Sequence, residues 1–241
     1  SKGHTVLGVD ADPAVVQAIN LGRAPVTEPG LADLMVQSRA RLSASTGCES
    51  VAATEATFIF VPTPSEPDGG FSLRHVIQSA TEIGQALRRK DGYHLVVLSS
   101  TVMPGSTGGD VLAALEQASG RRCGGDLGLC YSPEFVALGS VIRDMLAPDF
   151  ILIGESDQRS GEMLEQVYRT VCENHPPVMR MNFVNAEITK LAVNTFVTTK
   201  ISYANMLAQI CEGLPGADVD VVTSALGRDS RIGRKYLKGA L

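Results

Sequence analysis

Unbroken apolar runs alternate with amphipathic helical patterns along the first 182 residues, and this alternation constrains the fold more than any single motif. H-T-V-L-G-V-D, ending at Asp10, T-F-I-F-V, ending at Val61, and H-L-V-V-L-S-S-T-V, ending at Val102, read as strands. Shorter strands fall near 127–131 and 149–153, and helices near 72–89, 108–118 and 158–172. Strands that are apolar throughout are buried on both faces, and strand–helix alternation builds a parallel sheet covered on both sides. The helix after Asp10 carries its own punctuation. Asp12 is its N-cap, Pro13 its first residue and Gly22 its terminator. P-V-T-E-P-G-L-A-D-L then opens a loop and another helix. The pattern changes around Glu173–Pro177, after which one long helix runs over about 183–212 and a shorter one follows Gly216. The chain therefore reads as an α/β domain over 1–182 and a helical domain over 183–241.

A chain of 241 residues holds one large domain or one and a half ordinary ones. The net charge of −5 argues against wholesale nucleic-acid binding, although Arg228, Arg231, Arg234, Lys235 and Lys238 crowd the last residues. That cluster is either a solvated basic tail or a pocket for phosphate. The five cysteines show no metal spacing, no C-x-x-C pair and no neighbouring histidine base, which suggests reduced thiols in the cytoplasm. No metal site is expected. No apolar run is long enough to span a bilayer and no signal peptide is seen, so neither membrane nor nucleic acid is an expected partner.

In doubly wound sheets, ligands sit at the carboxyl ends of the strands. Asp10 ends the first visible strand and can accept hydrogen bonds from both ribose hydroxyls of an adenine dinucleotide, or it can cap the next helix. The glycine-rich phosphate loop belongs about 20 residues before such an acid. Here that place falls before residue 1, so the first strand and its loop are expected to be missing. Val61-Pro62-Thr63-Pro64 follows the next strand: the prolines remove donors and stiffen the loop, and Thr63 can meet a cofactor or simply sit in a rigid turn. Ser99-Ser100-Thr101 can hold a nicotinamide ribose or position a water, or can cap a helix, a task Ser106 or Thr107 could also perform. Glu134, in S-P-E-F, suits a general acid or base, or a first-turn residue favouring a helix dipole. On the long helix, Lys190 and Asn194 stand four residues apart and share one face, with Leu191, Ala192, Val193 and Phe196 around them. The pair can aim donors at an oxygen that gains charge during a reaction, or it can be an ordinary solvated surface pair.

Together these pieces resemble the UDP-glucose/GDP-mannose dehydrogenase family, and UDP-glucose 6-dehydrogenases most closely. The resemblance runs through V-D-A-D, N-L-G-R-A-P-V-T-E-P-G-L, F-I-F-V-P-T-P, S-S-T-V-M-P-G-S-T, S-P-E-F, A-P-D-F-I-L-I-G, A-E-I-T-K-L-A-V-N-T-F and D-S-R-I-G-R-K-Y-L-K, in family order. It implies a doubly wound, Rossmann-like parallel sheet followed by the start of an all-helical central domain. It implies NAD as cofactor, a nucleotide sugar as substrate, a homodimer formed through the long helix, and a two-step oxidation through a cysteine thioester.

Residue by residue, the resemblance places Glu134 as general acid/base, Thr101 on the hydrolytic water, and Lys190 and Asn194 on the oxyanion. Asp10, Val61, Pro62, Thr63, Ser100 and Thr101 fall on NAD, and Phe135, Arg231, Tyr236 and Lys238 line the sugar-nucleotide site with Glu134, Lys190 and Asn194. The family's cysteine segment belongs after Leu241, so these 241 residues alone are expected to be inactive. Leu138 stands where members often carry a second glutamate, and Val15 where some carry a basic residue. The alternatives are a GDP-mannose or UDP-N-acetylmannosamine dehydrogenase, or a non-catalytic nucleotide-binding relative. Hydroxyacid dehydrogenases of the 3-hydroxyacid or 6-phosphogluconate type share the layout but lack V-P-T-P and S-P-E-F together.

Overall fold

A computed structural model describes residues 2–137 and 139–238. The chain divides into two compact units, Ser1–Ile188 and Thr189–Leu241. The first unit is built on seven strands: β1 (Val6–Val9), β2 (Leu42–Ser45), β3 (Ala56–Ile59), β4 (His94–Leu98), β5 (Leu127–Tyr131), β6 (Ile151–Glu155) and β7 (Val178–Met181). Helices α1 (Pro13–Asn20), α2 (Leu31–Ser38), α3 (Arg74–Leu87), α4 (Leu112–Ser119), α5 (Val141–Leu146) and α6 (Gln158–Val171) connect them, and α7 (Phe183–Glu212) begins in this unit.

The strands form two ladders, β1-β2 and β3-β4-β5-β6-β7, parallel except for β5 and β6. The β4 residues show why its run is apolar throughout. Val96 and Leu98 enter a core with Val76, Ala80, Ile83 and Leu87 of α3 and Leu115 of α4. Leu95 and Val97 enter a second core with Ile151, Ile153 and Leu164 of α6. Successive side chains point to opposite faces, and a helical layer covers each.

Three elements depart from the sequence reading. β2 is L-S-A-S, polar at alternate positions, and β7 is V-M-R-M, interrupted by Arg180; both are short and partly exposed, so neither forms an apolar run. α5 has only 6 residues. The β5–β6 pair is antiparallel, where strand–helix alternation predicts a parallel one. That reversal has a consequence for the site. Because β6 starts at the rim where β5 ends, residues 132–150 stay on that rim, and Glu134 stays with them.

The first helix follows its punctuation. Asp12 Oδ1 accepts the Ala14 N–H at 2.8 Å, and Gly22, at φ 72°, takes the left-handed turn that ends α1. Gly84 lets α3 approach α4 closely. A Cβ there would lie 2.7 Å from Ala118 Cβ and 3.1 Å from Leu115 O. Helix propensity alone favours alanine over glycine by about 1 kcal/mol. The clash with backbone in α4 is larger, so Gly84→Ala should destabilise the protein by about 1–3 kcal/mol in urea titrations.

In the second unit, α7 continues to Glu212 and α8 spans Val219–Leu226, with Asp218 as its N-cap. The Lys200 ammonium donates to Ile232 O at 3.0 Å and ties the last loop to the helix.

Candidate active site

Two strand-end loops are stitched together on the rim of the larger ladder. Ser100 Oγ donates to Val61 O at 2.7 Å and accepts the Val61 N–H at 2.9 Å. Thr63 Oγ1 donates to Thr101 O at 2.7 Å. Val61, Pro62, Thr63, Ser100 and Thr101, all expected on the cofactor, therefore share one piece of surface. Prolines 62 and 64 bring no N–H groups that would need partners there. Asp10 stands at the end of β1, on the other ladder. Its Oδ1 accepts the Asp12 N–H at 2.8 Å, while capping of α1 falls to Asp12.

The S-P-E-F turn leaves the same rim from β5. Glu134 is half-buried. The turn is held from below: Ser132 Oγ donates to Leu152 O at 2.9 Å and takes the Tyr168 hydroxyl at 2.8 Å. Burial foremost, with the Glu134 charge adding, pushes the Tyr168 hydroxyl up to about 12, so it stays a donor. Phe135 packs on Phe150 with ring centroids 4.9 Å apart. Farther along, Val141 N–H donates to Glu28 Oε1 at 2.9 Å, and Asp144 accepts from Ser140 at 2.7 Å. Leu138 lies outside the described residues.

The remaining expected residues belong to the second unit. Lys190 is 7% exposed, whereas Asn194 is exposed and Phe196 is 66% exposed. The polar pair thus divides into a buried ammonium and an accessible amide. Arg231 is exposed and grips Asp229 through two nitrogens, at 3.0 and 2.7 Å. The pairing holds the Asp229 carboxyl below its usual range. Tyr236 takes a positive φ of 62° and is half exposed; Lys238 is exposed.

One buried acid escaped the sequence reading. Glu187 is fully buried and accepts the Gly105 N–H at 2.6 Å and the Thr107 N–H at 2.8 Å. It does the capping expected of Ser106 or Thr107. The available signal was a glutamate inside A-E-I-T-K, on the mostly apolar start of a helix.

Four of the five cysteines are poorly disposed for attack. Burial pushes the Cys48 thiol up to about 11 and the Cys130 thiol up to about 12, and raises Cys123 and Cys172 as well. Among the described residues, no group of three or more His, Cys, Asp and Glu side chains could hold a metal ion. No helix among them is long and apolar enough to cross a membrane.

Residues 1–172 match the NAD binding domain of the UDP-glucose/GDP-mannose dehydrogenase family, and residues 184–241 match its central domain. The chain belongs to this family. It is 40% identical to UDP-glucose 6-dehydrogenase AglM of Haloferax volcanii, over 99% of this chain and 56% of that protein. A UDP-glucose dehydrogenase structure from Pyrobaculum islandicum superposes with a TM-score of 0.90 at 40% identity, over 98% of this chain and 54% of that one. A ternary complex of GDP-mannose dehydrogenase from Pseudomonas aeruginosa gives 0.91 at 34% identity, over 98% and 55%. The chain therefore spans about half the length of the curated relatives it matches. The fold is the family's Rossmann-like NAD-binding domain followed by a helical central domain.

Proposed function

We propose that the protein oxidises the primary alcohol of a nucleotide sugar to the carboxylate, UDP-glucose to UDP-glucuronate, with NAD as the electron acceptor. Alcohol to acid releases four electrons, so two NAD molecules are consumed for each sugar. The observation that carries this reading is the shared rim: family motif residues Val61–Thr63, Ser100–Thr101 and Glu134 leave adjacent strands of one ladder at the same end.

In this reading Asp10 takes the ribose hydroxyls of NAD, and Val61, Pro62, Thr63, Ser100 and Thr101 line its nicotinamide half. NAD supplies hydride acceptance when bound. Phe135, Arg231, Tyr236 and Lys238 hold the sugar nucleotide. Glu134 moves the proton of the reacting group, Thr101 orients the water that ends the reaction, and Lys190 with Asn194 stabilises the oxyanion. A cysteine in the family's position after D-S-R-I-G-R-K-Y-L-K carries the thioester. The domains divide at 182/183. The second unit exposes Phe196, Tyr203, Met206 and Ile210 along α7, an apolar stripe suited to a homodimer. The absence of paired thiols suits a cytoplasmic enzyme.

The test is turnover of the full-length protein. With UDP-glucose and NAD it should release two NADH per UDP-glucuronate formed. GDP-mannose is the second reading, favoured by the TM-score of 0.91 to the GDP-mannose enzyme. The sugar nucleotide with the higher kcat/KM decides between them, and no NADH from either, or from UDP-N-acetylmannosamine, ends the dehydrogenase reading.

A further inference from the structure

The turn between β4 and α4 does not hold itself together by ordinary helix capping. Pro104 has no N–H, Gly105 sits at φ 94°, and no side chain of the turn caps the helix that follows. The chain enters α4 through a widened turn, in which Val111 N–H reaches Ser106 O at 3.2 Å and Gly109 leaves helical geometry. The first amides are instead taken by Glu187, from a helix 80 and 82 residues away in sequence. The start of α7 is seated closely around it. A Cβ on Gly108 would lie 3.3 Å from the Phe183 ring, and one on Gly154 would lie 3.0 Å from Ala186 Cβ. A carboxylate buried on a helix N-terminus is favoured by the amides it accepts and by the helix dipole.

We propose that Glu187 is a positioning residue for the second half of the reaction. It acts by fixing the turn that continues directly from Thr101. This rests on the dehydrogenase reading, in which Thr101 orients the hydrolytic water. In that step the water oxygen forms a bond to the thioester carbon, the C–S bond breaks, and the sulfur leaves as thiolate and regains a proton. A turn released from Glu187 lets Thr101 drift, and hydrolysis slows while the preceding oxidations continue. Misplacement of about 1 Å costs such a step up to about a hundredfold.

The experiment uses full-length protein carrying Glu187→Gln, whose amide nitrogen faces a backbone donor with another donor. Mixed with NAD and UDP-glucose, the variant should show a burst of NADH, a kcat lowered up to about a hundredfold, and an acyl adduct on the enzyme by intact mass spectrometry. A general loss of stability lowers amplitude without accumulating an adduct. Glu187→Asp keeps the charge on a shorter arm and decides the matter if the glutamine variant does not fold; it should show the same adduct in smaller yield. A folded variant with wild-type kcat, or a slow one with no adduct, overturns the role of Glu187 alone. A wild-type protein that releases no NADH overturns the dehydrogenase reading and this role with it.

Discussion

Lys190→Met in the full-length protein should lower kcat about a thousandfold, or ~4 kcal/mol of barrier, while KM for NAD changes little. The expectation begins with burial. Lys190 is 7% exposed. Taking an ammonium out of water costs several kcal/mol even after relaxation. A methionine of similar length would fill much the same space while removing the charge. In the proposed reaction that charge faces the oxyanion as it forms. An interaction made in the transition state and not in the ground state lowers kcat when removed and leaves substrate binding alone. Asn194 lies one helical turn on and is exposed, so the proposed role gives it the share of a neutral donor in a wetter setting. Asn194→Ala should cost about tenfold, the smaller share expected of a neutral hydrogen bond. Steady-state kinetics with saturating sugar nucleotide separates the cases. A Lys190→Met enzyme within tenfold of wild type removes the oxyanion role.

What the amino-acid sequence discloses depends on whether a signal is local. Asp12, Pro13 and Gly22 mark α1 because cap, first turn and terminator are all contained in that segment. H-L-V-V-L announces β4 because both its faces are covered. V-M-R-M does not announce β7. It is an edge strand that packs Val178 and Met181 against the cores but is interrupted by Arg180, which reaches Glu155 at 2.7 Å. Strand direction is no more local, and nothing within β6 says that it runs against β5. The site follows the same rule. The rim loops were legible because proline and hydroxyl residues cluster right behind apolar runs. Glu187 and Glu28 were not, because each is defined by amides that arrive from at least 80 residues away. A glutamate on a helix reads as solvated until the tertiary fold brings donors to it.

At the opposite end of β4 from the rim, a second buried group should make the fold sensitive to acid. His94 is fully buried. Its Nδ1 donates to Thr54 O at 3.0 Å, and its Nε2 accepts the Thr57 hydroxyl at 2.9 Å, which is the pattern of a neutral ring. Burial first, then the Lys90 charge, lowers its pKa from 6.5 to about 4, with Arg121 acting the same way and the Thr54 bond opposing. Lys90 is fixed close by through Ala52 O at 3.1 Å and Thr54 O at 2.7 Å, so the ring has no room to acquire a positive charge cheaply. The sign follows from proton counting. Between pH 6.5 and about 4 the unfolded chain carries the proton on this ring and the folded chain does not. Stability is therefore fully present above pH 6.5 and is lost as the pH falls toward 4, by about 3 kcal/mol in total. Carboxylates also titrate at the acid end of this window, so the informative quantity is a difference. Urea titrations of the wild type and of His94→Gln, from pH 7.5 down to pH 4, should show the wild type losing about 3 kcal/mol more than the variant. Parallel curves would mean that the ring is already charged in the folded protein or is open to water.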